Sequence, residues 1–411
     1  MKLLCMRGYY PPEQTAGMHL DMDFNEGLEK SGIEITYITP MPTRDVSPEK
    51  KAEYKNRVVE KTNNGYVTVK RFRMIEEKRN PLQRALRYFC CNVVEYFKGI
   101  KETDTDVVYS SSTPPTQGLL SSIVAHKLSK KAREKIPFVY NLQDIFPDSM
   151  VNANMTRKGS MIWKIGRKME NYIYKNADEI IVISEGFKTN IMAKGVPEEK
   201  ITVISNWIDL DAVTPIKRED NTLFEEFDID RDKYIIVYAG NVGAMQGTEV
   251  ILEAAKILHG EQDIHFVIFG GGSNYEEIKA EGSKLSNVSI FPLQPQERVS
   301  EVYSMGDVAL ITCKPGTGKA GLPSKTWSIM ACNTPIIASF DTDSDLAYII
   351  NNSNAGRCIE AGNAEKLADA IVEMKNKGNI HVDMRAYALD HASKDSCVKK
   401  YVDVIANCGL R

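Results

Sequence analysis

Tyr234-Ile235-Ile236-Val237-Tyr238-Ala239-Gly240-Asn241-Val242-Gly243-Ala244-Met245-Gln246-Gly247 decides the fold of this chain. It opens on an unbroken apolar run, as a strand covered on both faces requires. Gly240 and Asn241 end the run, and a helical pattern follows over 247–260. A second run, 264–269, stops at Gly270-Gly271-Gly272. Further runs at 287–291, 307–311 and 335–338 alternate with helical patterns. Strands rich in Val and Ile, separated by helices, predict a doubly wound parallel sheet.

The same alternation fills the first half. Apolar runs fall at 2–6, 33–39, 66–72, 106–110, 138–141, 179–183 and 201–204. Helical patterns fall at 18–31, 81–101, 117–131, 159–175 and 185–194. Residues 40–65 are charged and weakly periodic and read as a long loop. Pro215 and a charged stretch mark 205–232 as a linker. The tail 386–408 reads as one helix. A chain of 411 residues suits two domains of about 200 residues each. The predicted division is a Rossmann-like domain at 1–205 and a second at 206–385, with the helix over 386–411 packing back on the first. Ligands of open α/β sheets bind outside the strand C-terminal ends, so the predicted site is a cleft between two such sets of ends.

With 43% hydrophobic and 26% charged residues the chain reads as globular and soluble. No apolar run reaches the roughly 18 residues of a membrane span. Met1–Met6 is too short for a signal peptide, and Arg7 closes it, so a cytoplasmic protein is expected. The 8 cysteines and 6 histidines are scattered, without CxxC or HExxH spacing, which predicts no metal site. Charge is uneven. Residues 1–205 hold 32 Lys and Arg against 25 Asp and Glu, and the rest hold 20 against 30. The basic half is the one expected to meet an anionic surface. Nothing in the pattern points to nucleic acid.

The strongest local motif is Cys313-Lys314-Pro315-Gly316-Thr317-Gly318-Lys319-Ala320-Gly321-Leu322-Pro323-Ser324-Lys325, which leads into a helical run. Free N–H groups at a helix start, with the helix dipole, bind phosphate, and Lys319 and Lys325 add charge. Ser324 is a candidate N-cap. The spacing is not a Walker A loop. The plain alternative is a surface turn before a capped helix. In the 240–247 loop, Gly240 and Gly247 allow close ligand approach, and Asn241 and Gln246 can hydrogen-bond a diphosphate. Gly271 and Gly272 form a third such loop. Three glycine loops at the strand ends of one domain point to a nucleotide. In the first half, Asn141-Leu142-Gln143-Asp144 places Asp144 just past a strand end. Its alternative role is an Asx turn. Tyr9-Tyr10-Pro11-Pro12-Glu13-Gln14-Thr15-Ala16-Gly17 follows the first strand and lacks the dinucleotide fingerprint.

One helix is unusually basic. After Asn80-Pro81, an N-cap and N1 pair, Leu82, Leu86, Phe89, Val93, Phe97 and Ile100 recur at helical spacing. Arg84, Arg87, Lys98 and Lys101 avoid that stripe. The spacing predicts an amphipathic helix with its stripe packed inward and its charges solvated. The other reading is a patch on anionic lipid. Met161-Ile162-Trp163-Lys164-Ile165-Gly166-Arg167-Lys168 poses the same choice.

Taken together, these loops resemble glycosyltransferase family 4, and within it the WbuB-like surface-polysaccharide enzymes. The likeness rests on five ordered segments: Tyr9–Gly17, Gln143–Asp148, Asn206-Trp207-Ile208-Asp209, the Gly-Asn-x-Gly-x-x-Gln-Gly of 240–247, and Leu322–Lys325 followed by Met330-Ala331. It implies the α/β GT-B fold, with two doubly wound Rossmann-like domains whose parallel sheets face a central cleft. It implies a UDP-sugar donor in the second domain and retention of anomeric configuration, without metal or other cofactor. It also implies an N-acetylated amino sugar, of N-acetyl-fucosamine type, and a lipid-linked saccharide acceptor in capsule, O-antigen or exopolysaccharide synthesis. The implied donor contacts are Gly240, Asn241, Gln246, Gly247, Gly271, Gly272, Lys319, Gly321, Leu322, Pro323, Ser324 and Ser328. Lys325 and Asp144 are the candidate catalytic residues, and Glu13, Thr15 and Gly17 the acceptor contacts. The inner face of the cytoplasmic membrane is the implied place of work. Ala320 and Ser328 stand where the wider family has a Glu-x7-Glu pair. Asn241 and Gln246 replace its usual Arg and Lys. Two rivals follow from those departures: a UDP-sugar 2-epimerase of the same layout, and an inactive UDP-sugar-binding partner.

Overall fold

The computed structural model describes all residues except 14–16, 45, 77–80, 153–154, 379–382 and 411, and omits the side chains of Pro81, Leu82, Arg84, Asn152 and Ala320. The chain divides into two compact units, Met1–Ser205 with Asp395–Arg411, and Asn206–Lys394.

The first unit is built on eight strands: β1 Lys2–Met6, β2 Glu34–Pro40, β3 Val59–Thr62, β4 Val67–Phe72, β5 Val107–Ser111, β6 Phe138–Leu142, β7 Glu179–Val182 and β8 Ile201–Val203. Their spatial order is β3-β4-β2-β1-β5-β6-β7-β8. All neighbours run parallel except β3 and β4. Every residue of β5, β6 and β7 is buried, which is why these strands read as unbroken apolar runs. The order reverses between β1 and β5, the crevice where such sheets take ligands.

Residues 40–65 are not a loop. They carry the helix Pro48–Tyr54, capped by Ser47 Oγ, and the edge strand β3. The sequence Val59-Glu60-Lys61-Thr62 gives no buried stripe because this edge strand is almost entirely exposed.

The second unit holds β9 Tyr234–Asn241, β10 Ile264–Gly271, β11 Val288–Pro292, β12 Val308–Thr312, β13 Ile336–Phe340 and β14 Gly356–Glu360. All are parallel, in the order β11-β10-β9-β12-β13-β14. The switch falls between β9 and β12. β14 escaped the sequence reading because Gly356-Arg357-Cys358-Ile359-Glu360 alternates exposed charge with half-buried residues at an edge.

The supposed linker belongs to this unit. Leu210, Val213, Leu223, Phe224 and Ile229 are buried in one of its cores. Thr214 and Ile216 donate their N–H groups to Ser300 and Ser304, at 3.1 and 3.0 Å. The tail is two helices, Met384–Ala392 and Lys394–Gly409, broken at Ser393 in extended backbone. The former completes the second unit's core through Met384, Ala388 and Ala392. The latter lies against the first unit, where Phe24 meets Tyr401 edge-on and Tyr401 Oη donates to Asn141 Oδ1 at 3.2 Å. Gly27 permits the approach, since a Cβ there would stand 2.2 Å from Val398 Cγ1.

The basic helix reverses the predicted orientation. In Pro81–Gly99 the buried positions are Arg87, Cys91, Glu95 and Gly99, whereas Leu86, Phe89, Val93 and Phe97 are exposed. Arg87, predicted to be solvated, is fully buried and donates to Ile75 O at 3.2 Å and Thr43 Oγ1 at 3.0 Å. Glu95 accepts from Asn92 and Gln117 at 3.1 Å each. These partners offset the cost of burying the charges. The predicted N-cap Asn80 lies outside the described residues.

Candidate functional site

In the second unit, three loops leave the strand ends at the switch point. Gly247 has φ +57°, and a Cβ there would lie 2.9 Å from the carbonyl carbon and oxygen of Cys313. Lys314 N donates to Met245 O at 2.9 Å. The loop after β9 is thus tied to the loop after β12. Gly272 has φ +136°, and a Cβ would stand 2.3 Å from Asn241 Oδ1. The loops after β9 and β10 therefore touch as well. The three glycine segments that the sequence separates meet here.

Lys325 opens the helix Lys325–Ala331 and points back beneath the β9 loop. Its Nζ lies 4.1 Å from the centroid of the Tyr238 ring, a cation–π distance. A Cβ on Gly240 would stand 2.6 Å from that Nζ. Among the described residues no carboxylate lies within ion-pair distance of it. The residue is partly exposed as a whole, but the atoms around the ammonium desolvate it and pull its pKa from 10.5 down to about 7. Such a group lacks an anion. Tyr238 Oη is turned away to Asn241 O, at 2.7 Å, so the ring face is what the ammonium meets.

The rest of the glycine–lysine loop departs from expectation. Lys319 is exposed and ion-paired with Asp343. The N–H groups of Gly316 and Gly318 donate to the Asp341 carboxylate at 2.8 Å each. Asp341, an acid just past β13, thus holds two N–H groups of this loop upstream of the helix start that was expected to bind phosphate. Ser324 occupies the N-cap position, yet its side chain makes no capping bond. Leu322 packs on the core and Pro323 is half-buried. Gly321 faces open space, where a Cβ would meet nothing within 4 Å. Ser328 is buried within the helix. Asn241 Nδ2 donates to Gln246 Oε1 at 3.0 Å, so those two side chains hold each other. At Gly271 a Cβ would find its nearest neighbour 3.8 Å away, so only ordinary contact is made there.

In the first unit, Asp144 follows β6 beside the switch strand β5. Ser112 Oγ accepts from the N–H groups of Gln143 and Asp144 at 3.0 Å each. Thr113 Oγ1 donates to Asp144 Oδ2 at 3.3 Å. Burial raises the carboxyl's pKa, and only the Thr113 bond opposes that. Among the described residues the Asp144 side chain bonds to the loop after β5 and not to its own turn, as an Asx turn would require. Glu13, expected to touch an acceptor, is fully buried. Its Oε1 accepts from Thr43 N and Arg44 N at 2.8 and 2.9 Å. Its Oε1 therefore holds the 43–44 loop in place, while its Oε2 is buried without a hydrogen-bond partner among the described residues. Gly17, at φ +79°, is the N-cap of the helix Met18–Lys30. Thr15 lies outside the described residues. No cluster of His, Cys, Asp and Glu with metal-holding geometry occurs among the described residues.

Two family models match in tandem. Residues 22–212 match Glycosyltransferase Family 4, and residues 219–391 match Glycosyl transferases group 1. The chain belongs to glycosyltransferase family 4. Among curated relatives, the family 4 chain is 27% identical over 253 residues to the probable glycosyltransferase WbjE of Pseudomonas aeruginosa, 61% of either chain. It is 26% identical over 272 residues to the putative colanic acid biosynthesis glycosyl transferase WcaI of Escherichia coli, 65% of this chain and 67% of that one. It thus spans about three fifths to two thirds of these relatives' length. Its fold is GT-B. Anabaena HepE, solved with UDP, superposes at TM-score 0.71 with 13% identity, covering 99% of this chain and 100% of that one. Sucrose-phosphate synthase of Thermosynechococcus elongatus gives 0.75 and 13%, covering 99% and 98%.

The sequence reading of this glycosyltransferase missed Tyr238 and Asp341. Tyr238 reads as one more apolar residue of β9, and only the folded chain lays Lys325 on its ring. Asp341 and Asp343, just past β13, were the available signal that the neighbouring lysine and glycines already had partners. No described helix is long and apolar enough to cross a membrane.

Proposed function

We propose that the chain transfers a sugar from a UDP-sugar to a lipid-linked saccharide in surface-polysaccharide synthesis, with retention of configuration and without metal. The donor is an N-acetylated amino sugar on this reading. The observation that carries the proposal is Lys325, an ammonium without a counter-ion among the described residues where three glycine loops converge.

Transfer breaks the bond between the anomeric carbon and the β-phosphate oxygen, leaving UDP with a developing charge. Lys325 neutralises that charge, in a site where few water molecules screen it. The acceptor hydroxyl forms the new glycosidic bond and gives up its proton to the departing phosphate oxygen. Asp144 orients that hydroxyl through its free carboxylate oxygen. Gly240 and Gly247 let the diphosphate approach the backbone.

The test is a thermal-shift panel of UDP, GDP and UDP-linked hexoses and N-acetylhexosamines, repeated from pH 6 to 9. A bound ligand raises the midpoint by linkage. UDP and one UDP-sugar raise it, and GDP does not. The pH dependence has a definite sign. Protonated Lys325 is the form that binds a diphosphate, and in the free protein that form is lost as pH rises through about 7. The UDP-induced shift is therefore largest at pH 6 and shrinks toward pH 9, by up to about tenfold in affinity per pH unit until the bound-state pKa is reached. A pH-independent shift removes Lys325 from the diphosphate.

Asp144→Asn keeps the side-chain volume and the Thr113 contact but removes the charge. Turnover with a lipid-linked acceptor is expected to fall by roughly 10- to 100-fold. UDP affinity should stay within about twofold, since Asp144 is assigned to the acceptor. Unchanged turnover takes Asp144 out of the chemistry. Conversion of UDP-N-acetylhexosamine without an acceptor would instead identify an epimerase. UDP binding with no transfer to any acceptor would identify an inactive binding partner.

A further inference from the structure

We infer that Glu95 is a positioning residue for Asp144, acting through Gln117 on the segment that joins β5 to the helix Thr116–Ala132. This deepens the acceptor side of the proposed reaction and rests on that reading of Asp144.

Each link is a hydrogen bond. Glu95 is fully buried on the inward side of Pro81–Gly99. Gln117 Nε2 donates to both of its oxygens, at 3.3 and 3.1 Å. Gln117 lies in the first turn of its own helix and donates its N–H to Pro114 O at 2.9 Å. That helix start has no capping side chain, so the bond to Glu95 supplies the tether that a cap would otherwise give. Just upstream, Ser112 Oγ accepts from Asp144 N at 3.0 Å, and Thr113 Oγ1 donates to Asp144 Oδ2 at 3.3 Å. Gly8, just past β1, packs on the same segment. A Cβ there would stand 3.2 Å from the Pro114 side chain and 3.8 Å from Gln117 Nε2. The segment therefore lies at the β1–β5 switch, with Asp144 held at one end and Glu95 at the other.

Core packing does not ask for an acid here. Cys91, Leu120 and Val124 belong to the core that the two helices share, and burying a carboxylate costs stability that an apolar side chain would not. The groups bonded to Glu95 from Asn92 and Gln117 are neutral amides. The titratable and charged groups around it are Arg87 and Cys91 on its own helix and Cys5 on β1. Burial raises its pKa to about 7, against the pull of the two amides, Cys91 and Arg87. Above that pH the carboxylate is a charge-assisted acceptor for Gln117. Below it the proton on Glu95 needs an acceptor of its own, and the Gln117 amide must turn to offer Oε1. Gln117 Oε1 has no partner among the described residues, so it is Glu95 that holds the amide in its present sense.

The experiment is amide hydrogen exchange of the full chain at pH 6, 7 and 8, corrected for the intrinsic rate at each pH. In the parent, protection of residues 112–118 and 143–145 should rise about tenfold from pH 6 to pH 8, the value of one charge-assisted bond. In Glu95→Gln it should stay near the parent's pH 6 level throughout. Gln117→Met, which removes the link and leaves the acid, should do the same. Strand β10 of the second unit should exchange alike in all three. The thermal midpoint checks folding. Glu95 is raised above its ordinary value of 4.5, so the parent loses stability as pH rises through about 7, and Glu95→Gln does not. That variant should gain about 3 °C or more on the parent between pH 5 and pH 8. At pH 8 both variants should transfer to a polyprenyl-diphosphate-linked N-acetylglucosamine with kcat lowered about tenfold, keeping the UDP-induced shift and its pH dependence. The inference is overturned if protection in the parent ignores pH, or if Glu95→Gln keeps the parent's pH dependence. Loss of protection across the whole first unit, or unchanged transfer in both variants, overturns it as well. A parent that UDP does not stabilise would remove the donor-site reading and leave the exchange result standing.

Discussion

Lys325→Met should lower kcat/KM for transfer by about 100- to 1000-fold, the scale of losing one preorganised donor to a developing oxyanion. The UDP-induced thermal shift should fall with it. The same substitution should make the unliganded protein more stable. Burial holds the Lys325 ammonium at a pKa of about 7, against 10.5 for the ordinary lysine. Between those values the unfolded chain carries a proton that the native chain lacks, so stability rises with pH across that window. Below pH 7 both states are protonated, and the full cost of burying the charge is borne by the fold. Met fills the same space over the Tyr238 ring without that cost. A rise of about 3 °C or more in midpoint at pH 7 is expected, shrinking toward pH 10. A stabilised but inactive variant marks a residue kept for function against stability. A variant that loses stability along with activity would show that Lys325 is a structural prop.

Gly240→Ala should give the next largest effect. Gly240 sits at φ +139°, where a side chain is strained, and its Cβ would fall 2.6 Å from Lys325 Nζ. The strain costs about 1–3 kcal/mol of stability, and the displaced ammonium weakens UDP binding by roughly tenfold, about the value of one charge-assisted contact. Gly271→Ala is the matched comparison. Its Cβ would have no neighbour nearer than 3.8 Å and Gly271 is not at positive φ, so stability should change by less than about 0.5 kcal/mol. Equal effects at the two positions would mean that loop stiffness, rather than the Lys325 contact, is what the glycines supply. Urea unfolding and UDP titration of both variants decide the matter.

Family 4 membership and the strand ends were legible because both are written locally. A parallel strand buried on both faces needs a continuous apolar run, and Tyr234–Ala239 or Phe138–Leu142 can be read as nothing else. A glycine loop at a strand end needs glycine where φ is positive, and Gly247 and Gly272 have it. Edge elements were not legible. β3 exposes three of its four residues and β14 fully buries none of its five, so neither shows the run that marks a central strand.

By itself, then, the chain's order of residues determined two parallel sheets, the loops that end them, and the charge excess of the first half. Which groups those loops leave free was decided in three dimensions. Asp341 and Asp343 satisfied the N–H groups of Gly316 and Gly318 and the ammonium of Lys319, and Lys325 was left on the Tyr238 ring without an acid among the described residues. The basic helix makes the same point. Helical spacing states that Leu86, Phe89, Val93 and Phe97 share a face, but a period has no inside or outside. The direction is seen only in the partners distant in sequence, Thr43 for Arg87 and Gln117 for Glu95, that hydrogen-bond the buried polar groups.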